Sequence, residues 1–244
     1  MAALSFDFLQ YEQIDSTNEE AKRLLAAGAI KRLTLIRADS QTAGKGTQGR
    51  TWISPPGAGL YMTLVHPFHD DVESLGTDWL QPIGSIPLTP LFTLAAGVAC
   101  AQTIQDLTGL SIQLKPINDL YVEGRKLGGI LTESLISQGQ CKALITGIGI
   151  NILTHEAVHP DAEEMDRRNT FPTSLQDCIS PALFFQWQGS AILEELSQGL
   201  THQIDRWYRS LTQGNSERIL REYMQFKMSE VSLPPELAEL IHHR

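Results

Sequence analysis

Lys115-Pro116-Ile117-Asn118-Asp119-Leu120-Tyr121-Val122-Glu123-Gly124-Arg125-Lys126-Leu127-Gly128-Gly129-Ile130-Leu131-Thr132-Glu133 reads as strand, tight turn and strand. Leu120, Tyr121 and Val122 favour β structure. Glu123-Gly124 supplies a hairpin turn, because glycine tolerates positive φ, and an apolar run resumes at Leu127. Such a hairpin holds Lys115, Lys126, the Asn118 amide and the Asp119 carboxylate at fixed spacing beside Gly128-Gly129, where an anion can approach the backbone. The same stretch is also compatible with a solvated hairpin of ordinary surface charge, and the rest of the chain decides between the two.

Upstream lies Gln41-Thr42-Ala43-Gly44-Lys45-Gly46-Thr47-Gln48-Gly49-Arg50-Thr51-Trp52. Gly44 to Gly49 spells G-x-G-x-x-G, but a dinucleotide fingerprint must open a helix, so that the helix N-terminus meets the pyrophosphate. Here the glycines run into Ile53-Ser54-Pro55-Pro56-Gly57, which cannot be the first turns of a helix. A kinase glycine loop does run from strand to strand, but the chain carries neither D-F-G nor H-R-D. What remains is a flexible loop whose backbone N–H groups, with Lys45 and Arg50, can fold over a polyphosphate. The plainer alternative, a surface loop without function, fits poorly with Lys45, Arg50 and Trp52 standing so close together.

In order, these segments resemble the biotin protein ligases. That family carries a G-R-G-R-x-G-R-x-W loop, a K-W-P-N-D strand and a K-L-A/G-G-I-L-x-E strand. The chain matches with Gly44 to Trp52, Lys115 to Asp119 and Lys126 to Glu133; Ser16-Thr17-Asn18 matches the family's S-T-N, and Gly147-Ile148-Gly149-Ile150-Asn151 its G-x-G-x-N. The resemblance runs from Tyr11 to Trp207. It departs where Lys45 and Thr47 replace loop arginines and where Pro116-Ile117 replaces W-P.

A chain of 244 residues with 42% hydrophobic residues can bury a sizeable core. Its formal charge of −9 disfavours generic DNA binding, which rests on neutralising phosphates, but leaves room for a local basic site. Cys100, Cys141 and Cys178 are odd in number and widely spaced, which fits a reducing cytoplasm and no disulfide framework. No signal peptide or membrane-length apolar run is present. Ser16 or Asp15 is placed to cap a helix that has Glu19 and Glu20 in its first turn and stops at Gly28. Strands are predicted over Thr34–Arg37, Leu60–His66, Ser111–Lys115, Leu120–Val122, Leu127–Leu135 and Lys142–Ile152. A buried helix is predicted over Pro87–Leu107, an irregular loop over His69–Ile86, one long helix or two over Ser180–Leu211, and a helix over Ser216–Lys227. Leu193, Leu196, Leu200, Ile204, Trp207 and Leu211 recur at helical spacing and read as core.

His155-Glu156-Ala157-Val158-His159 spells the zinc-protease motif H-E-x-x-H, yet Pro160 follows directly and pushes His159 out of helical geometry. A zinc site is therefore not expected there, and His242-His243 forms no spaced metal site.

The resemblance implies a chemistry in two steps: biotin and Mg-ATP give biotinyl-AMP, and a lysine of a biotin carboxyl carrier domain, as in acetyl-CoA carboxylase, then takes the biotin. It assigns Lys126 to bridge carboxylate and α-phosphate, an electrostatic role between two approaching anions. Lys45 and Arg50 would close the loop over the adenylate and exclude water. Ser16, Thr17, Asn18, Gln41, Gly44, Lys45, Trp52, Lys126 and Gly129 are the implied biotin positions. Gly46, Thr47, Gln48, Arg50, Lys115, Asn118 and Asn151 are the implied ATP positions. Asp119 is implied to orient or deprotonate the acceptor lysine and to touch Mg2+. The implied fold is that of class II aminoacyl-tRNA synthetases, a mixed, mostly antiparallel sheet backed by helices. A catalytic domain over 1–211 and a short extension over 212–244 are expected, with no N-terminal winged helix and an absent or vestigial C-terminal barrel. Oligomeric state stays open between monomer and homodimer. The rivals are a lipoate–protein ligase and a non-catalytic biotin- or nucleotide-binding module.

Overall fold

The computed structural model describes residues 5–68, 88–137, 140–158, 171–186, 190–235 and 237–238. Among these residues, seven strands form one sheet in the order β1-β2-β3-β7-β6-β5-β4. They are β1 (Asp7–Ile14), β2 (Thr34–Gln41), β3 (Gly59–Pro67), β4 (Gln113–Lys115), β5 (Asp119–Val122), β6 (Arg125–Ser137) and β7 (Gln140–Asn151). Only β1 and β2 run parallel; every other pair is antiparallel. The hairpin forms as its residues dictate: Glu123 and Gly124 turn at φ 49 and φ 75, between β5 and β6.

Helices cover both faces. The helices are α1 (Thr17–Ala26), α2 (Leu88–Thr108), α3 (Leu175–Cys178), α4 (Pro181–Gln186), α5 (Ser190–Thr212) and α6 (Ser216–Phe226). Strand alternation sorts β3 accordingly. Leu60, Met62 and Leu64 face the large core shared with α2, α5 and α6, whereas Val65 joins Ala21, Ile36, Ala143 and Ile145 under α1. α2 is buried nearly all round, and its alanines and Gly97, which faces Leu114 and Ile130, let it lie close to the sheet. The segment after Thr212 is not set apart: Ile219, Leu220, Tyr223 and Leu237 bury themselves in that same core, and Met228 N donates to Leu114 O at 3.0 Å. Among the described residues, no helix is long and apolar enough to cross a membrane.

Two local expectations change. β1 was not anticipated: Asp7, Gln10, Glu12 and Gln13 make a polar edge strand, half exposed along its length, with little apolar alternation to betray it. Ser16 is the N-cap of α1, but its hydroxyl makes no capping hydrogen bond. The first helical N–H, from Thr17, is instead taken by Gln41 Oε1 of β2 at 2.9 Å. At the other end, Gly28 at φ 66 closes the helix as expected, with Ala29 N donating to Leu24 O and Gly28 N to Leu25 O. The Ser180–Leu211 stretch holds two helices, α4 and α5. The predicted loop over His69–Ile86 lies outside the described residues, as do His159, Pro160 and His242-His243. His155 itself begins a turn, its Nδ1 accepting from Ala157 N at 3.1 Å. Among the described residues no three metal-binding groups converge.

Candidate active site

On the α1 side of the sheet lies a cavity of about 340 Å³. Its polar end is built by the start of α1, the end of β2 and the middle of β3. Thr17, Asn18 and Thr63 are 4%, 3% and 0% exposed, so their polar groups must find partners inside. They do. Thr63 Oγ1 lies 2.6 Å from Asn18 Oδ1 and 2.8 Å from Thr17 Oγ1. Asn18 Nδ2 donates to Glu133 Oε2 at 2.9 Å, and Lys22 Nζ donates to Glu133 Oε1 at 2.8 Å. Gln41 Nε2 donates to Ser54 Oγ at 2.8 Å.

The glycine loop forms the lid side. It is a miniature hairpin: Lys45 and Thr51 bridge, Gly46 N donates to Arg50 O at 2.7 Å, and Thr47–Gly49 makes a single tight turn with Gln48 at φ 57 and Gly49 at φ 72. Its cations have local partners. Lys45 Nζ sits 2.6 Å from Glu19 Oε1, and the Arg50 guanidinium donates to Thr47 Oγ1 at 2.8 Å. Lys22 and then Lys45 hold the Glu19 carboxyl below the usual carboxylate range, against the opposing effect of burial.

Trp52 leads out of the loop onto the sheet. Gly129 of β6 and Gly149 of β7 are register partners, and the indole lies over both. A Cβ at Gly149 would collide with the ring, and one at Gly129 would stand 3.3 Å from it. The Trp52 Nε1–H is buried without a partner among the described residues.

The hairpin supplies the charged end. Lys126 Nζ lies 2.8 Å from Asp119 Oδ1, with side-chain exposures of 17% and 14%, and 5.7 Å from the Trp52 ring centroid. Asn118 Nδ2 donates to the same Asp119 oxygen at 3.1 Å. The Lys126 backbone is clamped on its other edge, its N–H donating to Phe171 O at 2.7 Å and its carbonyl accepting from Thr173 N at 2.9 Å. Asn151 secures that clamp by donating to Thr173 O at 2.9 Å.

The cavity wall thus gathers Ser16, Thr17, Asn18, Gln41, Lys45, Gly46, Thr47, Arg50, Trp52, Asn118, Asp119, Lys126, Gly129 and Asn151 from the implied set. Gly44, Gln48 and Lys115 are not in its wall. A side chain on Gly44 would run into Trp52 O and Ser54 Oγ, so that glycine permits the crossing at the loop's base. Lys115 lies across the Tyr121 ring at 5.5 Å. Sequence reasoning gave no role to Thr63, Glu133 or Lys22, nor to Gly147, where a Cβ would meet the Asn18 amide. The only trace of these was Glu133 at the end of the β6 motif and Gly147 at the head of the β7 motif.

The sequence profile of the biotin/lipoate A/B protein ligase family matches residues 11–151. The bifunctional ligase/repressor BirA of Bacillus subtilis is 31% identical over 198 residues, covering 81% of this chain and 49% of that protein. The biotin–[acetyl-CoA-carboxylase] ligase of Paracoccus denitrificans is 30% identical over 187 residues, covering 71% of this chain and 70% of the other. The chain spans about half the length of the BirA relatives it matches. A biotin protein ligase from Aquifex aeolicus, solved with biotin and ATP, superposes with a TM-score of 0.67 at 20% identity, covering 91% of this chain and 78% of that one; it shares the fold. The motif order, the sheet and the profile agree, and the chain belongs to the biotin/lipoate A/B protein ligase family.

Proposed function

We propose that this protein is an ATP-dependent biotin–protein ligase. The observation that carries the reading is the polarity of one cavity. Gln41 and Ser16 stand at an end where the neighbouring polar groups are already paired, the Trp52 indole on its glycines makes an apolar wall, and Lys126, Lys45 and Arg50 line the same cavity. A small polar ring on an apolar body that ends in a carboxylate matches that sequence of environments. The names of the Bacillus and Paracoccus relatives support the same activity.

In the first step a biotin carboxylate oxygen bonds to the α-phosphorus of ATP, and pyrophosphate leaves with the electron pair of the broken P–O bond. Lys126 lies between the two anions, offsetting their repulsion as charge develops. Its pairing with Asp119 holds the ammonium in place until an anion shares it. In the second step an acceptor lysine amine attacks the carboxyl carbon of the anhydride and AMP departs; Asp119 receives or orients the amine proton. The acceptor is a lysine on a biotin carboxyl carrier domain. Asp119 would also supply one oxygen to a magnesium ion arriving with the nucleotide. Magnesium is commonly held by one or two carboxylates plus phosphates and water, and that suits a site with no carboxylate cage among the described residues. The net charge of −9 argues against DNA as a partner.

Biotin-dependent exchange of pyrophosphate into ATP tests the reading, run in parallel with lipoate because the family covers both cofactors. Exchange with biotin alone is expected. Exchange with lipoate alone would move the protein to the other branch, and binding without exchange would make it a non-catalytic module.

A further inference from the structure

Asp119 has a lysine on the strand to either side of it, and it pairs with only one of them. From β6, Lys126 Nζ meets Asp119 Oδ1 at 2.8 Å. On β4, Lys115 is the register partner of Asp119, so it shares the same face of the sheet, with the two Cβ atoms about 5 Å apart. Lys115 nevertheless turns its ammonium to the Tyr121 ring, 5.5 Å from the centroid. The resemblance implied a place for it among the ATP positions, yet it lies outside the cavity wall. We infer that Lys115 recognises the acceptor protein, by pairing with a carboxylate that flanks the acceptor lysine. The inference rests on the ligase reading and deepens it, because it names what the second substrate must carry beside its amine.

What sets Lys115 apart is uncompensated charge. Lys22, Lys45 and Lys126 each pair with a carboxylate in or beside the cavity. Among the described residues no carboxylate pairs with Lys115. A ring face attracts an ammonium and fixes its direction without cancelling its charge. The ring itself is well held: Tyr121 is buried, and its backbone sits in the ladder between Gln113 of β4 and Lys126 of β6. Lys115 is half-buried, which leaves part of it open to an incoming protein. An anion bound inside the cavity would find Lys115 behind the wall. An anion arriving with an amine bound for Asp119 would find it on the adjoining strand.

Charge gives the placement its use. An acceptor lysine arrives as an ammonium, since its ordinary pKa is about 10.4. On its way to Asp119 it meets the like charges of Lys126 and Lys115. A carboxylate close to that lysine in the acceptor would pair with Lys115, offset the repulsion and set the amine against Asp119. A lysine without such a neighbour would meet the repulsion alone. Lys115 thus selects in both directions, attracting acceptors that carry an acid beside the target lysine and discouraging lysines that do not.

The test is transfer from pre-made biotinyl-AMP by the full chain, to a purified biotin carboxyl carrier domain and, separately, to hydroxylamine, a small acceptor with no carboxylate. If the wild-type protein supports neither pyrophosphate exchange nor transfer, the ligase reading itself is lost, a result distinct from those below. Given wild-type activity, Lys115→Gln should raise KM for the carrier domain about tenfold, the scale of one charge-assisted hydrogen bond. KM for ATP, pyrophosphate exchange and capture by hydroxylamine should stay within about twofold of wild type, since none of them involves the flanking acid. Lys115→Arg, which keeps the charge, should keep most of the affinity for the carrier. Neutralising the Asp and Glu residues beside the acceptor lysine should produce the same rise in KM with the wild-type enzyme, and no further rise with Lys115→Gln. A role in packing alone would not make the two changes non-additive. Should Lys115→Gln fail to fold, the neutralised carrier carries the test with the wild-type enzyme: its KM should rise about tenfold and lose most of its dependence on salt. An unchanged KM for the carrier in Lys115→Gln, wild-type handling of the neutralised carrier, additive losses, or an equal loss with hydroxylamine overturns the inference. A rise in KM for ATP overturns it too, and returns Lys115 to the nucleotide.

Discussion

Thr17, Asn18 and Thr63 at one end of the cavity are almost wholly buried and bonded to groups from α1, β2, β3 and β6. Lys45 and Arg50 on the lid loop are exposed, and hold partners on α1 or within their own loop; the Lys45 side chain is 46% exposed. A buried polar group that loses its partner suffers the full desolvation penalty, about 1–3 kcal/mol, whereas an exposed ion pair is worth about 0–1 kcal/mol. The polar end is therefore settled when the chain folds. The cationic end is held in partnerships that an incoming polyphosphate can displace at little cost. Selectivity for the ring of the ligand is expected to reside in the first region, and retention of its activated form in the second.

The largest effect should come from Lys126, which lines the cavity beside Asp119 and is proposed to bridge the reacting anions. Lys126→Gln keeps the length and removes the charge, and should slow biotinyl-AMP formation by about a hundredfold or more. Single-turnover formation of the adenylate measures this, with transfer from pre-made adenylate followed separately. Wild-type adenylation by that variant would falsify the assignment and move the role to Lys45 or Arg50, the other cations of the cavity wall.

Two glycines on one strand separate the regions more directly. An added methyl at Gly147 meets Asn18, which is held by Thr63 and Glu133; one at Gly149 meets Trp52, which belongs to the loop. Overpacking costs about 1–3 kcal/mol. Gly147→Ala should take it from fold stability, lowering the urea midpoint. Gly149→Ala should spare the midpoint and weaken biotin and adenylate, because the indole can move aside. Equal loss of stability in both variants would erase the distinction.

Lys45→Ala should speed adenylate dissociation about tenfold, as expected for one lost charge-assisted contact, and leave free-biotin affinity nearly unchanged. An equal fall in both affinities would assign Lys45 to the biotin end instead.

The smallest effects concern the acids that hold α1 and the loop. Glu19→Gln releases Lys45 from its ion pair, and the KM for ATP should fall by about two- to threefold, the yield of one exposed pair. Asp15, bound by the Arg23 guanidinium, is held down to about 2 from its ordinary 3.8. Because the folded state binds this proton less readily than the unfolded one, the stability from Asp15 is whole above 3.8 and disappears as pH falls through about 2. The group is exposed, so the effect should stay below about 1 kcal/mol in acid unfolding curves compared with Asp15→Asn. A larger difference would mean that the start of α1 is less secure than its buried hydrogen bonds indicate.

Much of the fold was legible because it is locally encoded. Glu123-Gly124 sets a turn whatever surrounds it, the apolar density of α2 announces a helix buried on every side, and Pro55-Pro56 forbids the glycine loop from opening a helix. β1 was illegible because an edge strand need not alternate when neither face is fully covered. Ser16 does stand at the N-cap, but its hydroxyl's usual task passed to Gln41, a residue of another element. Much of the site's membership was also visible, since its motifs are contiguous runs of charge, amide and glycine.

The pairings inside the site were not visible in those motifs. Asn18 and Glu133 are 115 positions apart, and each is an ordinary polar residue until the fold brings them together, Asn18 in the space left by Gly147 on β7 and Glu133 on the neighbouring strand β6. The sequence by itself determined which side chains could carry charge or make a turn, because those properties depend on the residue and its immediate neighbours. Only the tertiary structure decided which donor meets which acceptor, and so which atoms stay open to a ligand, because burial obliges each polar group to be satisfied by whatever the fold brings within reach.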